Sequence, residues 1–379
     1  MINYDKIPSP AYVLDEARLR RNLELILRVQ QESGVRVILA LKGFSMWRVF
    51  PMVKQYLAGA TASSLHEARL IFEEMGTPAH TYSPAYLPAD FEEVMGYSSH
   101  ITFNSLAQYE RYKEQLAQHA APISAGLRVN PEFSVVETDL YNPSAPGSRL
   151  GEMVENLGDQ LPAGIEGLHI HTLCESSAED LENLIASVEN RFGIFLPQLR
   201  WINFGGGHLM TRQGYDVAHL IEVLKAFRAR HPNLEVILEP GSAIAWETGE
   251  LVTTVLDIIN SRGIKTAILD VSFTAHMPDT LEMPYRPKVL GASDPVAGKP
   301  TYRLGGSSCL AGDFMSEYSF DQELKVGDRL VLWDMIHYTM VKTTTFNGVR
   351  HPDICIWHED DTLEVVKKFQ YEDFRNRLS

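Results

Sequence analysis

The run Val35–Lys42, VRVILALK, followed directly by Gly43, constrains the fold more than any other stretch of the chain. Continuous branched and apolar residues mark a parallel strand buried on both faces. A helix-like pattern, Asp15–Ser33, precedes the run and a second helical stretch, Trp47–Leu57, follows it. Lys42 then closes the strand at its carboxyl end, the end that carries the chemistry in an α/β barrel. A desolvated amine loses its charge readily, and an uncharged amine condenses with an aldehyde. The competing reading is a rim lysine whose stem lies on apolar surface while its ammonium stays in water. The rest of the chain decides between them.

Short apolar segments alternate with helical ones along the first two thirds of the sequence. Ala11–Leu14 reads as a strand, and Asp15 caps the helix that ends near Gly34. Ala60–Ser63 precedes a helix opened by the capping box Ser64-x-x-Glu67. His80–Ser83 and Pro88–Met95 follow, then Ile101–Phe103 and Ser105–Gln118. Ala125–Val129 is succeeded by a long irregular stretch, Asn130–Gly151, rich in Pro, Ser and Gly. Gly167–His171 leads to the helix Ala178–Phe192. Trp201–Phe204 runs into Gly205-Gly206-Gly207 and the helix Asp216–His231, and Val236–Glu239 is the eighth strand. The βαβα rhythm predicts an α/β fold, a (β/α)8 TIM barrel over residues 15–248. From Gly249 the segments LVTTVLDII, KTAILDVSF, TYRLGG, DRLVLWD and DICIWH read as a β-rich domain over 249–379, joined by residues 1–14.

The formal net charge of -15 disfavours a nucleic-acid partner or an anionic membrane surface. Cys174, Cys309 and Cys355 are too few and too scattered for a disulfide framework or a CxxC metal site, so no metal is expected. The amino terminus MINYDKIPSP has neither a basic region nor an apolar core, and no apolar run is long enough to span a bilayer. A reducing, cytoplasmic setting is the expectation.

On the barrel, the unusual residues fall at one rim. Lys42 ends the first strand, His171 the sixth and Glu239 the eighth, while the glycine triplet follows the seventh. Consecutive glycines let backbone amides approach a phosphate, and barrels bind phosphate at the loops after strands seven and eight. Gly205, Gly206, Gly207 and the Gly241-Ser242 turn are the candidates, although tight turns use glycine too. Glu239 before Pro-Gly could hold a pyridine nitrogen protonated, or pair with a neighbouring cation. His171 could stack on a cofactor ring; His169 shares its strand face, so either could be a polar core residue.

Lys42 after its apolar strand, G-L-H-I-H, N-F-G-G-G, E-P-G, G-S-S-C-L-A-G-D and H-Y-T-x6-F-N-G together resemble the fold-type III pyridoxal-phosphate decarboxylases of ornithine, arginine and diaminopimelate. A-L-K-G-F-S, S-R-L-G, H-T-L-C-E and A-H-M-P-D are similar to the branch of that family acting on the carboxylated polyamines carboxynorspermidine and carboxyspermidine. The resemblance implies an alanine-racemase-like barrel with a C-terminal β domain, and pyridoxal 5′-phosphate as cofactor. Lys42 would hold the cofactor covalently, His171 would stack on its ring and Glu239 would pair with its nitrogen. Gly205, Gly206, Gly207, Gly241 and the Tyr338 hydroxyl would hold the phosphate. It further implies a homodimer with shared sites, in which the other subunit's Cys309 protonates the reacting carbon and its Asp313 binds the substrate's distal amine. His276, Asp279 and Glu175 would contact substrate or else stand on exposed polar loops. Ser242 stands where relatives often have Arg, and Leu173 and Cys174 stand where they have Gly-Ser, so the phosphate contacts are expected to be redistributed. The alternatives are another basic amino-acid decarboxylase of this fold, such as one for diaminopimelate, an alanine-type racemase, and a non-catalytic binding homologue. The last would be expected to have lost Lys42 or Cys309.

Overall fold

The computed structural model describes residues 2–136 and 142–379, so residues 137–141 of the Asn130–Gly151 stretch lie outside the described residues. The chain divides into two compact units, one of Asn22–Ile244 and one of Met1–Arg21 with Ala245–Ser379. The strands in chain order begin with β1 (Ala11–Asp15), β2 (Arg36–Val37), β3 (Leu39–Ala40), β4 (Ala60–Ala62), β5 (Ala79–Tyr82) and β6 (Ser98–Phe103). They continue with β7 (Ser124–Arg128), β8 (Ile165–His169), β9 (Trp201–Asn203) and β10 (Glu235–Leu238).

In the first unit β2 to β10 form one parallel sheet in the order β2-β10-β9-β8-β7-β6-β5-β4-β3. β2 and β3 are two halves of the VRVILALK run, one paired with β10 and the other with β4. The split at Ile38 is where pairing changes sides: Ile38 N–H donates to the Leu238 carbonyl and Leu39 N–H to that of Gly59. One strand thus joins the first and last of the sheet and closes the barrel. Helices cover the apolar strands and begin where side chains can take their orphan amides. Ser105, Ser177 and Asp216 accept from Gln108, Asp180 and His219 to start Leu106–Gln118, Ala178–Phe192 and Val217–Arg230. The Ser64 cap is present, but Glu67 reaches the Ser63 amide rather than that of Ser64, so the box is only half of the reciprocal pattern. The helical stretch expected over Trp47–Leu57 is shorter, a 3-10 turn Trp47–Val49 leading into Phe50–Val53.

In the other unit, β11 (Gly249–Ser261), β12 (Ile264–Leu269), β13 (Ala292–Ser293), β14 (Thr301–Gly305), β15 (Phe314–Phe320), β16 (Arg329–Leu332), β17 (Asp353–Trp357) and β18 (Leu363–Lys367) join β1 in a mixed sheet. β1 lies between β11, antiparallel, and β17, parallel. Ala11, Val13, Val252, Val331, Cys355 and Trp357 pack into its core with Ile2 and Ile7. Among the described residues no helix is long and apolar enough to cross a membrane.

Candidate active site

Four segments leaving the carboxyl ends of barrel strands meet at one rim. Lys42 lies just past β3, in a turn where the Gly43 and Phe44 amides return to the Ala40 carbonyl. That turn passes against Gly241: a Cβ on Gly43 would stand 2.7 Å from the Gly241 Cα, so neither backbone tolerates a side chain there. His171 follows β8 by two residues, Glu239 follows β10 by one, and Gly205 follows β9 by two.

Lys42 Nζ and His171 Nε2 are 2.8 Å apart. The Gly206 N–H donates to His171 Nδ1 at 2.8 Å. A neutral imidazole with Nδ1 accepting carries its proton on Nε2, so the ring presents an N–H to the lysine. That contact is a hydrogen bond only if Nζ offers a lone pair, which an ammonium lacks. The electrostatics agree. Burial first, and then the Arg128 guanidinium, lower the Lys42 ammonium below its ordinary value, opposed by Glu239, Cys174 and Glu67. Burial and the neighbouring Lys42 hold His171 well below the ordinary imidazole value. Lys42 and His171 therefore both give up a proton more readily here than in water.

Glu239 is its opposite. Burial alone would raise this carboxyl, but His169, His171 and Lys42 outweigh that and hold it well below the usual carboxylate range. Oε1 accepts from His169 Nε2 at 2.8 Å and Oε2 from Asn203 Nδ2 at 2.9 Å. Asn203 Oδ1 in turn accepts the Gly205 N–H at 2.8 Å. The glycine triplet is thus tied to the carboxylate below it. Gly205 and Gly207 take φ of +70° and +91°, and a Cβ on either would lie within 2.4 Å of a carbonyl oxygen. Two of the three glycine amides are already engaged, by Asn203 and His171; the Gly207 amide takes no part in this network.

Arg128, at the end of β7, is 4% exposed; it donates to the His171 carbonyl at 2.9 Å and lies over the Tyr82 ring at 4.7 Å. Sequence reasoning passed over Arg128, Asn203 and the role of His169, because polar residues within barrel strands look like core residues until their partners are known. The proximity of Asn203 to the triplet was the available signal. Cys174 and Glu175 are exposed, and Glu175 takes φ of +48°.

The remaining candidates lie on the β unit. Cys309 is exposed and its N–H donates to Asn347 Oδ1 at 2.7 Å. Asp313 is buried and accepts the Phe273, Thr274 and Ser308 amides. His276 is fully buried, with Nδ1 accepting the Ser272 N–H; burial and then His351 push it down to about 3. Asp279 Oδ2 accepts from Thr339 and Tyr285 while Oδ1 has no partner among the described residues. Tyr338, beside Thr339, takes φ of +42°.

A closed parallel barrel that brings a buried lysine amine, an imidazole and a buried carboxylate together at its carboxyl rim has the donor set of an enzyme working through a carbonyl cofactor. The chain belongs to the pyridoxal-dependent decarboxylases: the family model described as "Pyridoxal-dependent decarboxylase, C-terminal sheet domain" matches residues 11–336. The carboxyaminopropylagmatine decarboxylase of Synechocystis sp. is 55% identical over 98% of this chain and 96% of its own. The carboxynorspermidine/carboxyspermidine decarboxylase of Campylobacter jejuni is 44% identical over 99% of each. The crystal structure of the Campylobacter jejuni carboxynorspermidine decarboxylase complexed with norspermidine superposes with a TM-score of 0.91 at 43% identity, covering 98% of this chain and 100% of that one. The family uses pyridoxal phosphate, and the donor set at this rim fits it: a buried amine for the aldehyde, a carboxylate for the pyridine nitrogen, and an imidazole for the ring face.

Proposed function

We propose that this enzyme removes carbon dioxide from a carboxylated polyamine, carboxynorspermidine or carboxyspermidine, as a step in polyamine synthesis. The full-length relatives bearing those names support the substrate class. The observation that carries the chemistry is the Gly206–His171–Lys42 chain, which holds a buried amine, lowered from its ordinary value, at the barrel rim. Pyridoxal phosphate, when bound, supplies an aldehyde for amines and a ring that accepts the electron pair left by departing carbon dioxide. Lys42 would hold the aldehyde and His171 would lie against the ring. Glu239, hydrogen-bonded by His169 and Asn203, would pair with the pyridine nitrogen. Gly207 and the Gly241-Ser242 turn would hold the phosphate, since the Gly205 and Gly206 amides are engaged elsewhere. We read the active form as a homodimer in which the other subunit's Cys309 delivers the proton that replaces carbon dioxide, with Asp279 and Glu175 as substrate contacts; His276, with no exposed surface, is a core residue instead. Three free cysteines accord with a cytoplasmic setting.

A second reading is favoured by the 55% identical relative: carboxyaminopropylagmatine, which ends in a planar guanidinium instead of an ammonium. Turnover of carboxynorspermidine, carboxyspermidine, carboxyaminopropylagmatine and meso-diaminopimelate, measured side by side, tests both. The first reading expects the highest kcat/KM with one of the first two. A preference for the guanidino compound selects the second reading, and a preference for diaminopimelate defeats both.

A further inference from the structure

The loop that carries Cys309 is fastened at two consecutive peptide groups. The Ser308 N–H donates to Asp313 Oδ2 at 3.0 Å, and the Cys309 N–H donates to Asn347 Oδ1 at 2.7 Å. The other oxygen of Asp313 accepts the Phe273 and Thr274 amides at 2.7 and 3.1 Å, which ties the loop to the start of the short helix Phe273–His276. The Asp313 backbone closes the same turn: its carbonyl accepts from Gly306 at 2.7 Å and its N–H donates to Leu310 at 3.0 Å. Gly306 leaves the carboxylate room that no other residue would, since a Cβ there would stand 2.4 Å from it. Asn347 holds its place with φ of +60°, a conformation that Asn tolerates better than most residues. The thiol between these two anchors is on an exposed residue.

We propose that Asp313 and Asn347 are positioning residues that fix the Cys309 thiol for proton delivery. This rests on the reading of Cys309 as the proton donor and assigns Asp313 a task other than binding the distal amine. An ionised carboxylate offers about four acceptor sites, and backbone amides fill three of them in Asp313. The step being positioned is simple to balance. The bond from the α-carbon to the carboxylate breaks, carbon dioxide leaves, and the electron pair left behind takes the proton of the Cys309 S–H; the thiolate then regains a proton from water. A displaced thiol slows this transfer and lets the proton reach the cofactor's carbon instead, which after hydrolysis gives an aldehyde and the aminated cofactor.

The test uses the holoenzyme with carboxynorspermidine, measuring kcat, KM, the fraction of turnovers ending in aldehyde, and the unfolding temperature. Asn347→Ala and Asp313→Asn are expected to lower kcat roughly tenfold, the scale set by small misplacements of a reacting group. They should raise the aldehyde fraction and leave KM within about threefold of wild type. Asn347→Asp, which keeps an acceptor oxygen, should restore both kcat and partition. Asp313→Asn carries the test alone if Asn347→Ala does not fold. A raised KM with unchanged kcat and partition in Asp313→Asn overturns the proposal and returns that carboxylate to the amine. Wild-type kcat and partition in both variants, with Cys309→Ala impaired, overturns it while leaving Cys309 as donor; an unimpaired Cys309→Ala removes the donor reading itself.

Discussion

Burial and the His171 contact favour the neutral form of Lys42, the form that reacts. The Gly206 amide fixes the His171 tautomer, and the tautomer requires a lone pair from the lysine. This has a measurable cost in the cofactor-free protein. The unfolded chain keeps the ammonium protonated up to its ordinary value of 10.5, whereas burial and Arg128 make the folded chain release that proton sooner. Folding expels a proton, so this residue's contribution to stability rises with pH until 10.5 and is most unfavourable below the lowered folded value. Lys42→Met is therefore expected to raise the unfolding temperature of the cofactor-free protein at pH 7 by roughly a few degrees, with the gain shrinking as the pH approaches 10.5. Unfolding scans across that range check it; a gain that grows with pH would show that the lysine is held charged.

The barrel strands explain why this chemistry sits at one end only. Towards the amino ends of β5 to β9 the interior is filled by Trp201, whose indole N–H donates to Ser124 Oγ at 2.8 Å, and by His80 of β5 and His100 of β6 stacked at 3.8 Å. Gly126 and Gly167 exist to admit that indole: a Cβ on Gly167 would stand 2.0 Å from the Trp201 ring and one on Gly126 2.3 Å from it. Gly167→Ala is expected to destabilise the enzyme by about 1–3 kcal/mol, the range for overpacking a well-filled core. Gly167 is the middle residue of β8, four positions before His171, and its neighbour in the packing is the Trp201 ring, so kcat per folded molecule should stay near wild type. Urea unfolding with steady-state kinetics separates the two. A large loss of kcat in a variant of wild-type stability would place the floor of the barrel in the reaction. The strand rhythm and the strand-end positions of Lys42, His171 and Glu239 were legible in the sequence, since periodicity reports which face a side chain takes. The engagement of Gly205 and Gly206 was not, because it depends on Asn203 and His171 meeting the triplet across strands. β15 was passed over as well: FMSEYSF alternates polar and apolar residues behind a glycine-rich loop and reads as its continuation until β14 pairs with it.

At the scale of the whole molecule, Asp313 marks where sequence reasoning stopped short. The family resemblance implied that Asp313 binds the substrate's distal amine, but sequence alone cannot tell that the carboxylate accepts amides from Phe273 and Thr274 some forty positions earlier. The homodimer reading makes a sharp prediction of its own. Mixed in equal amounts with free subunit exchange, inactive Lys42→Ala and Cys309→Ala chains should form heterodimers with one intact site each, returning about a quarter of the wild-type sites. Activity assayed before and after exchange checks it, and no recovery despite proven exchange would place both residues in a single subunit's site. The central claim, that Lys42 is the attachment point for the cofactor's aldehyde, is tested most directly by treating the pyridoxal-phosphate-loaded enzyme with borohydride and locating the reduced adduct by peptide mass spectrometry. The account predicts a single cofactor mass on Lys42, absent from Lys42→Ala; an unmodified Lys42 with the adduct on another lysine would contradict it.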